Sequence, residues 1–194
     1  MDAEPAERIV SYLNQRSQEM VALLAELVRA ESPSNVPQSQ AQVLYILGER
    51  LAQLSYRVSR LAGRNCAGHL YARPRRPAGR HTQLLLGHCD TVWPLGTLAD
   101  MPLTIGDGVL RGPGSYDMKA GLVQMLFALE ALRALQVEPP LAPVVFINSD
   151  EEIGSHDSTR HIRRLARVAR WCWNRRWELR ASSRLRARAW AASR

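Results

Sequence analysis

Three short clusters carry side chains whose chemistry goes beyond packing. Gly87-His88-Cys89-Asp90 follows the apolar run Leu84-Leu85-Leu86. Gly112-Pro113-Gly114-Ser115-Tyr116-Asp117-Met118-Lys119 and Asn148-Ser149-Asp150-Glu151-Glu152-Ile153-Gly154-Ser155 lie downstream. An imidazole with several carboxylates is a donor set for zinc, and a carboxylate can bridge two ions. Each residue alone also has an ordinary use. His88 can be a core histidine, Asp117 can cap the helix that follows it, and Glu151 and Glu152 can be a solvated pair. Cys89 offers a thiolate. Side chains of extended backbone alternate in direction, however, so Cys89 turns away from His88 and Asp90 and reads as structural.

The elements that must bring these clusters together follow from periodicity. Glu4 to Ala30 reads as one helix, with Met20, Leu24, Leu27 and Val28 on one face. Glu31-Ser32-Pro33-Ser34-Asn35 breaks it, and a second helix begins near Gln38, carrying Val43, Leu47, Leu51 and Leu54. Strands are expected at 57–61 and 68–73, the latter ending in a polar turn at 74–79. The run at 82–86 reads as a central strand buried on both faces. Residues 101–105 and 109–111 flank Gly106-Asp107-Gly108 as a hairpin. A third helix opens just after Asp117 and carries Leu122, Met125, Leu126 and Leu129, and 144–147 is another buried strand. This order predicts an α/β fold, a mixed sheet with helices on both faces. Ligands of open α/β sheets sit beyond the carboxyl ends of strands. That rule puts His88, Asp90, Glu151 and Glu152 at one edge, with Asp117 able to join them.

Taken together, the three clusters resemble the signatures of co-catalytic zinc exopeptidases and deacylases. That family includes glutamate carboxypeptidases, aminoacylases, acetylornithine deacetylase and succinyl-diaminopimelate desuccinylase. The stretch Thr91-Val92-Trp93-Pro94-Leu95-Gly96-Thr97 looks closest to the glutamate carboxypeptidase branch. The resemblance runs from the N-terminal helix to about Ala169. It implies that His88 binds one zinc, that Asp117 bridges two, and that Glu152 binds the other. It also implies that Glu151 is the general base taking the proton of the attacking water, and that Asp90 accepts from the His88 ring and sets its tautomer. A cis peptide between Asp117 and Met118 is implied as well. The expected reaction is metal-dependent hydrolysis of an amide bond next to a carboxylate, in a small peptide or N-acyl amino acid, with two zinc ions per complete site. Complete members are expected to be homodimers.

Composition bounds the rest. The chain has 194 residues, 46% of them apolar, which suits a globular domain. No apolar run approaches the ~18 residues needed to span a bilayer. The acidic N-terminus has no signal-peptide pattern, and three cysteines at unrelated spacings suggest free thiols in a reducing, cytoplasmic setting. The formal charge of +8 is unevenly spread. Residues 160–194 hold 12 of the 26 basic residues and one acid, Glu178, which leaves 14 basic against 17 acidic residues before them, a net −3. Four of the five tryptophans, Trp171, Trp173, Trp177 and Trp190, lie in that stretch.

The resemblance implies a further carboxylate ligand in an apolar strand soon after the Glu-Glu pair, a distant histidine, a substrate-binding arginine and an inserted dimerisation domain. None is evident in this sequence. His161 is too near the Glu-Glu pair, and Glu178 lies in Arg-Arg-Trp-Glu-Leu-Arg without a strand pattern. The genetic code offers a reason. Trp171-Cys172-Trp173-Asn174 must be encoded TGG-TGY-TGG-AAY. Read from the third base of Trp171, this gives Val-Leu-Glu, then Pro if Asn174 is AAC and Arg175 is CGN. Such a segment suits the missing strand-end ligand. Residues 1–166 are therefore expected to be a partial catalytic domain, and 167–194 an Arg/Trp-rich tail, out of frame and disordered. Arginine outnumbers lysine 25 to 1, which fits a GC-rich gene. On this reading the chain itself is expected to be inactive, with no nucleic-acid or membrane partner. Taken at face value, the tail offers an alternative: Arg interleaved with Trp suits phosphate backbones and stacked bases, or an anionic membrane surface.

Overall fold

The computed structural model describes residues 3–76 and 81–168. Its elements run α1 (Ala3–Gln15), α2 (Ser17–Arg29), α3 (Gln40–Gln53), β1 (Tyr56–Leu61), β2 (His69–Pro74), β3 (Thr82–His88), α4 (Thr97–Asp100), β4 (Thr104–Gly106), β5 (Val109–Arg111), α5 (Ala120–Ala134), β6 (Ala142–Asn148) and α6 (Thr159–Val168). Of the Arg/Trp-rich tail expected over 167–194, Arg167 and Val168 end α6 and are not disordered, whereas the rest, including Cys172 and Glu178, lies outside the described residues, and so does 77–80 in the expected turn.

The four-stranded sheet has the order β1-β2-β6-β3. β1, β2 and β6 are antiparallel neighbours, whereas β3 and β6 are parallel, joined through the crossover helix α5. One face packs Leu70, Ala72, Val145 and Ile147 against Leu27 of α2, Leu44 and Leu47 of α3, and Leu122 and Leu126 of α5. The other face carries His69 and Phe146, whose rings meet His161 of α6. The sheet is thus mixed, with helices on both faces. No described helix is long and apolar enough to cross a membrane.

Two sequence expectations change. The helix expected over 4–30 is two helices, broken at Arg16 (φ −100°, ψ 8°). The break lets both halves lie along α5, where Tyr12 Oη donates to Glu130 at 2.7 Å and the Arg16 guanidinium pairs with the same carboxylate at 3.1 Å. Apolar periodicity does not report such a break, because each half keeps its own buried stripe. The strand at 82–86 is not central: among the described residues β3 is an edge strand, and Leu86 is 47% exposed. β6 is the strand buried on both faces, from Val144 to Ile147. An apolar run reports apolar neighbours on its faces and says nothing about a hydrogen-bonding partner along its edge.

Candidate metal centre

The parallel register of β3 and β6 sets His88 beside Asn148, so the segments leaving both strands start from one edge. Cys89 N–H donates to the Asn148 carbonyl at 2.9 Å and prolongs the pairing by one residue. Asp117 arrives from the side, in a wide turn at Ser115–Lys119 closed by Lys119 N–H to the Gly114 carbonyl at 3.2 Å. The Asp117–Met118 peptide is cis. Two glycines make this approach possible. A Cβ on Gly87 would stand 2.8 Å from Leu122 Cδ2, and Gly114 has φ +66° with a virtual Cβ 2.4 Å from Thr91 Cγ2.

His88, Asp117 and Glu152 place one potential ligand atom each within 4.8 Å of one another. His88 Nε2 lies 3.1 Å from Asp117 Oδ1 and 3.9 Å from Glu151 Oε2. The imidazole is buried, whereas the side chains of Asp117 and Glu151 are 73% and 52% exposed. His88 therefore projects from the protein interior toward open carboxylates. This donor set fits zinc: the imidazole nitrogen and the Asp117 oxygen lie at the spacing of one coordination sphere, and the Glu152 carboxylate is within reach of both. Burial lowers the His88 pKa, but hydrogen bonding and charge from Asp90, then Asp117 and Glu151, outweigh it and push the value up to about 9. The same negative potential that holds a proton on the ring would favour a cation. Burial raises the Glu152 carboxyl, and Asp117, Asp90 and Glu151 add to that against the pull of His88.

The inner side of the centre is organised by Asp90, which is wholly buried. Its carboxylate accepts from Ser34 Oγ at 2.7 Å and from the backbone N–H groups of Glu151 and Glu152 at 3.2 and 3.1 Å. Burial alone would raise its pKa, but the bonds from His88, Ser34 and those two N–H groups hold it below the ordinary value. Asp90 meets the His88 ring in two ways. Nδ1 lies 3.1 Å from the Asp90 backbone carbonyl and 3.5 Å from carboxylate Oδ1, so the carbonyl is the nearer acceptor. Cys89 points the other way, into the core, where burial and then the Asp90 charge push its thiol well above the usual range.

Several residues that position the site carry no sequence motif for that role. Ser34 sits in the helix break, where Pro33 and Thr91 form a parallel bridge. Gln40 is fully buried and donates to the carbonyls of Pro33 and Ser149 while accepting from Ala67 N–H. Lys119 is buried too, its Nζ donating to the Leu27 and Ala30 carbonyls at 2.8 and 2.9 Å. That ties the Asp117 turn to the end of α2. Met118 Sδ accepts from His88 N–H at 3.2 Å. Asp150, the unassigned acid beside the Glu pair, accepts from the N–H groups of Asp157 and Ser158. No local signal marks Ser34 or Gln40, since each lies among polar neighbours, in Ser32-Pro33-Ser34-Asn35 and Gln38-Ser39-Gln40.

Residues 84–182 match the model of peptidase family M20/M25/M40. The match therefore takes in the first part of the Arg/Trp-rich stretch. Carboxypeptidase G2 of Pseudomonas sp. (strain RS-16) is 30% identical over 156 residues, covering 77% of this chain and 36% of that protein. Succinyl-diaminopimelate desuccinylase 2 of Ruegeria sp. (strain TM1040) is 32% identical over 154 residues, covering 76% and 37%. The chain thus spans little more than a third of the length of these relatives. Among solved structures, human carnosine dipeptidase 1 superposes with a TM-score of 0.68 at 24% identity, covering 80% of this chain and 37% of that one. An M20 family metallo-carboxypeptidase of Sulfolobus solfataricus gives 0.64 at 21% identity, covering 74% and 33%.

Proposed function

The chain belongs to peptidase family M20/M25/M40, and from that premise we propose that it forms part of a zinc-dependent hydrolase cleaving an amide bond next to a carboxylate. The observation that carries this reading is the convergence of His88, Asp117 and Glu152 at one sheet edge, with Glu151 3.9 Å from the same imidazole nitrogen. Zinc held by these residues would polarise the scissile carbonyl and make an attacking water more acidic. Glu151 takes that water's proton and passes it to the leaving amine. Its openness to solvent suits a group that must meet both. Asp117 would be the carboxylate shared by two ions, His88 and Glu152 would hold one each, and Asp90 fixes the ring of His88 from behind.

Release of C-terminal glutamate is the substrate reading favoured by the Thr91–Thr97 stretch, whereas the similarity to desuccinylases supports an N-acyl amino acid. Three candidate ligands leave each zinc with two protein donors, the bridge counted twice, one fewer than catalytic zinc ordinarily has. We attribute the remainder to the frame that reads Val-Leu-Glu across Trp171–Asn174. A single experiment addresses these points: sequence the gene through and past this region, express the chain in both frames, and assay each with zinc on C-terminal glutamyl peptides, dipeptides and N-succinyl amino acids. Zinc-dependent hydrolysis by the frame-restored protein alone is expected. Zinc-independent turnover, or none in either form, would sink the hydrolase reading. Two tightly bound zincs in the chain as given would sink the incomplete-site reading.

A further inference from the structure

A second group of metal-ligating side chains lies on the α6 side of the sheet. Cys66 lies in the β1–β2 connection, His69 opens β2, and Asp157 stands on the return limb of the segment that carries Glu151 and Glu152. One potential ligand atom from each lies within 4.8 Å of the other two. Cys66 Sγ is 3.6 Å from Asp157 Oδ2 and 4.0 Å from His69 Nε2. Zinc bonds of about 2.3 Å to sulfur and 2.0–2.2 Å to nitrogen or oxygen set tetrahedral donors roughly 3.3–3.6 Å apart. The Cys66–Asp157 spacing already suits one ion, His69 must draw about half an ångström nearer the sulfur, and the His69 and Asp157 atoms start within 4.8 Å of each other.

The surroundings also point to a ligand. His69 is wholly buried, yet among the described residues its Nδ1 has no hydrogen-bond partner and its Nε2 meets only the Cys66 sulfur. The ring is not committed to a structural hydrogen bond, which is unusual for a buried polar group. Asp157 Oδ2 accepts from the N–H groups of Arg64 and Asn65, and Oδ1 lies 3.8 Å from the half-exposed Arg160 guanidinium. The Arg160 contact can remain around a metal-bound carboxylate, and an ion at Oδ2 would share that oxygen with one of the two N–H donors. A thiolate, a carboxylate and a neutral imidazole together offset the charge of a dication, so an occupied site adds no net charge to the interior. Cys66 and Asp157 also line a cavity of about 260 Å³ shared with His156, which leaves room for that imidazole or a water as fourth donor.

We propose that Cys66, His69 and Asp157 form a second zinc site, structural in character, that staples the β1–β2 connection to the back of the Glu151–Glu152 segment. It does not depend on the catalytic reading. Cobalt(II) tests it without an activity assay, because a thiolate ligand gives a sulfur-to-cobalt charge-transfer band that a His–carboxylate centre cannot give. Titration of the full chain with cobalt(II) should produce this band, saturating at a single equivalent. The band should persist in Asp117→Asn, disappear in Cys66→Ser and be displaced by zinc. A folded chain without the band overturns the proposal. So does a band that survives Cys66→Ser, since it would then arise from Cys89 or Cys172. Should Cys66→Ser fail to fold, the unaltered chain still decides: bound zinc should slow alkylation of Cys66 at least ~10-fold, read by peptide mapping. Equal rates with and without zinc refute the site.

Discussion

The segment from Ser149 to Ser158 has metal-ligating side chains on both limbs, and the two groups are built in opposite ways. On the outgoing limb, Glu151 and Glu152 stand near Asp117 at the open edge of the sheet, with only His88 buried. On the return limb, Asp157 meets Cys66 and His69, all three withdrawn from solvent. The first group is hard, anionic and accessible, as a site that must admit substrate and water requires. The second contains a soft thiol and is closed, as a site that only holds two loops together requires. Buried carboxylates connect them: Asp90 takes the N–H groups of Glu151 and Glu152, and Asp150 takes those of Asp157 and Ser158. Two groups of similar composition are thus separated by exposure and by which backbone amides their neighbouring carboxylates hold.

The largest effect that can break this comparison is at Glu151. In the complete, zinc-loaded enzyme, Glu151→Gln should lower kcat/KM by ~10²–10⁴-fold, the range for a positioned general base. Zinc content should stay unchanged, read by elemental analysis of the same preparation. A loss of zinc equal to the loss of activity would make Glu151 a ligand, and the division between Glu151 and Glu152 would fall.

Gly114→Ala comes next, as a test of how the accessible centre is assembled. The residue has φ +66°, and a Cβ there would sit 2.4 Å from Thr91 Cγ2 in the residue pair that also anchors Pro33. Strain in the left-handed region and overpacking together should cost about 2–4 kcal/mol. Urea unfolding should show it as a lower midpoint with unchanged slope. An unchanged midpoint would mean that the Asp117 turn is free to move away from Thr91.

Much of this architecture was readable from the chain, and the unreadable parts share one physical cause. The β5 strand, the onset of α5 after the Asp117 turn and the helix over 40–53 follow from local periodicity and turn chemistry, with small boundary shifts. His88, Asp117, Glu151 and Glu152 stand out because their spacing resembles a family signature; the parallel β3–β6 register brings His88, Glu151 and Glu152 to one edge, and the Ser115–Lys119 turn brings Asp117 to them. What periodicity could not give was the partner of a side chain distant in sequence. Lys119 bonds carbonyls 89 and 92 residues away, Cys66 meets Asp157 across 91 residues, and Ser34 reaches Asp90 across 56. The edge position of β3 and the break at Arg16 leave no local pattern for the same reason, since both are set by contacts with other elements.

Lys119 offers a pH test of the tether beneath the Asp117 turn. Burial pushes its pKa down to about 8 from 10.5, although two carbonyl acceptors favour the charged form. Between those values the unfolded chain binds more protons than the folded one, so this residue makes stability rise as pH increases through the window. Below pH 8 its full desolvation cost is present. The gain across the window should not exceed a few kcal/mol. Comparing urea unfolding of the protein and of Lys119→Met at pH 7.5 and 10 isolates it, because the variant should lack this upward component. Identical pH profiles would show that the carbonyls fully compensate for burial, and that the Asp117 turn rests on an unperturbed lysine.

The smallest predicted effect is at Ser34, and it bears most directly on why the two limbs differ. Its hydroxyl gives Asp90 Oδ2 a 2.7 Å bond, and Glu152 N–H shares that oxygen. Ser34→Ala removes one donor from a wholly buried carboxylate without altering the backbone bond from Ser34 N–H to Thr91. The cost should be about 1.5–2 kcal/mol, the low end of the range for a hydrogen bond to a charged group. The folded pKa of Asp90 lies below its ordinary 3.8, so its stabilisation is present above that value and lost as pH falls through the depressed one. Removing Ser34 raises the folded value, and acid unfolding should therefore begin at higher pH in the variant. The cobalt–thiolate signal expected of Cys66, His69 and Asp157 should be indifferent to this change, because the hydroxyl acts only on the Asp90 side of the 149–158 segment. If the acid transition stays in place while that signal weakens, the two limbs are one mechanical unit, and the difference in exposure between them does not correspond to a difference in role.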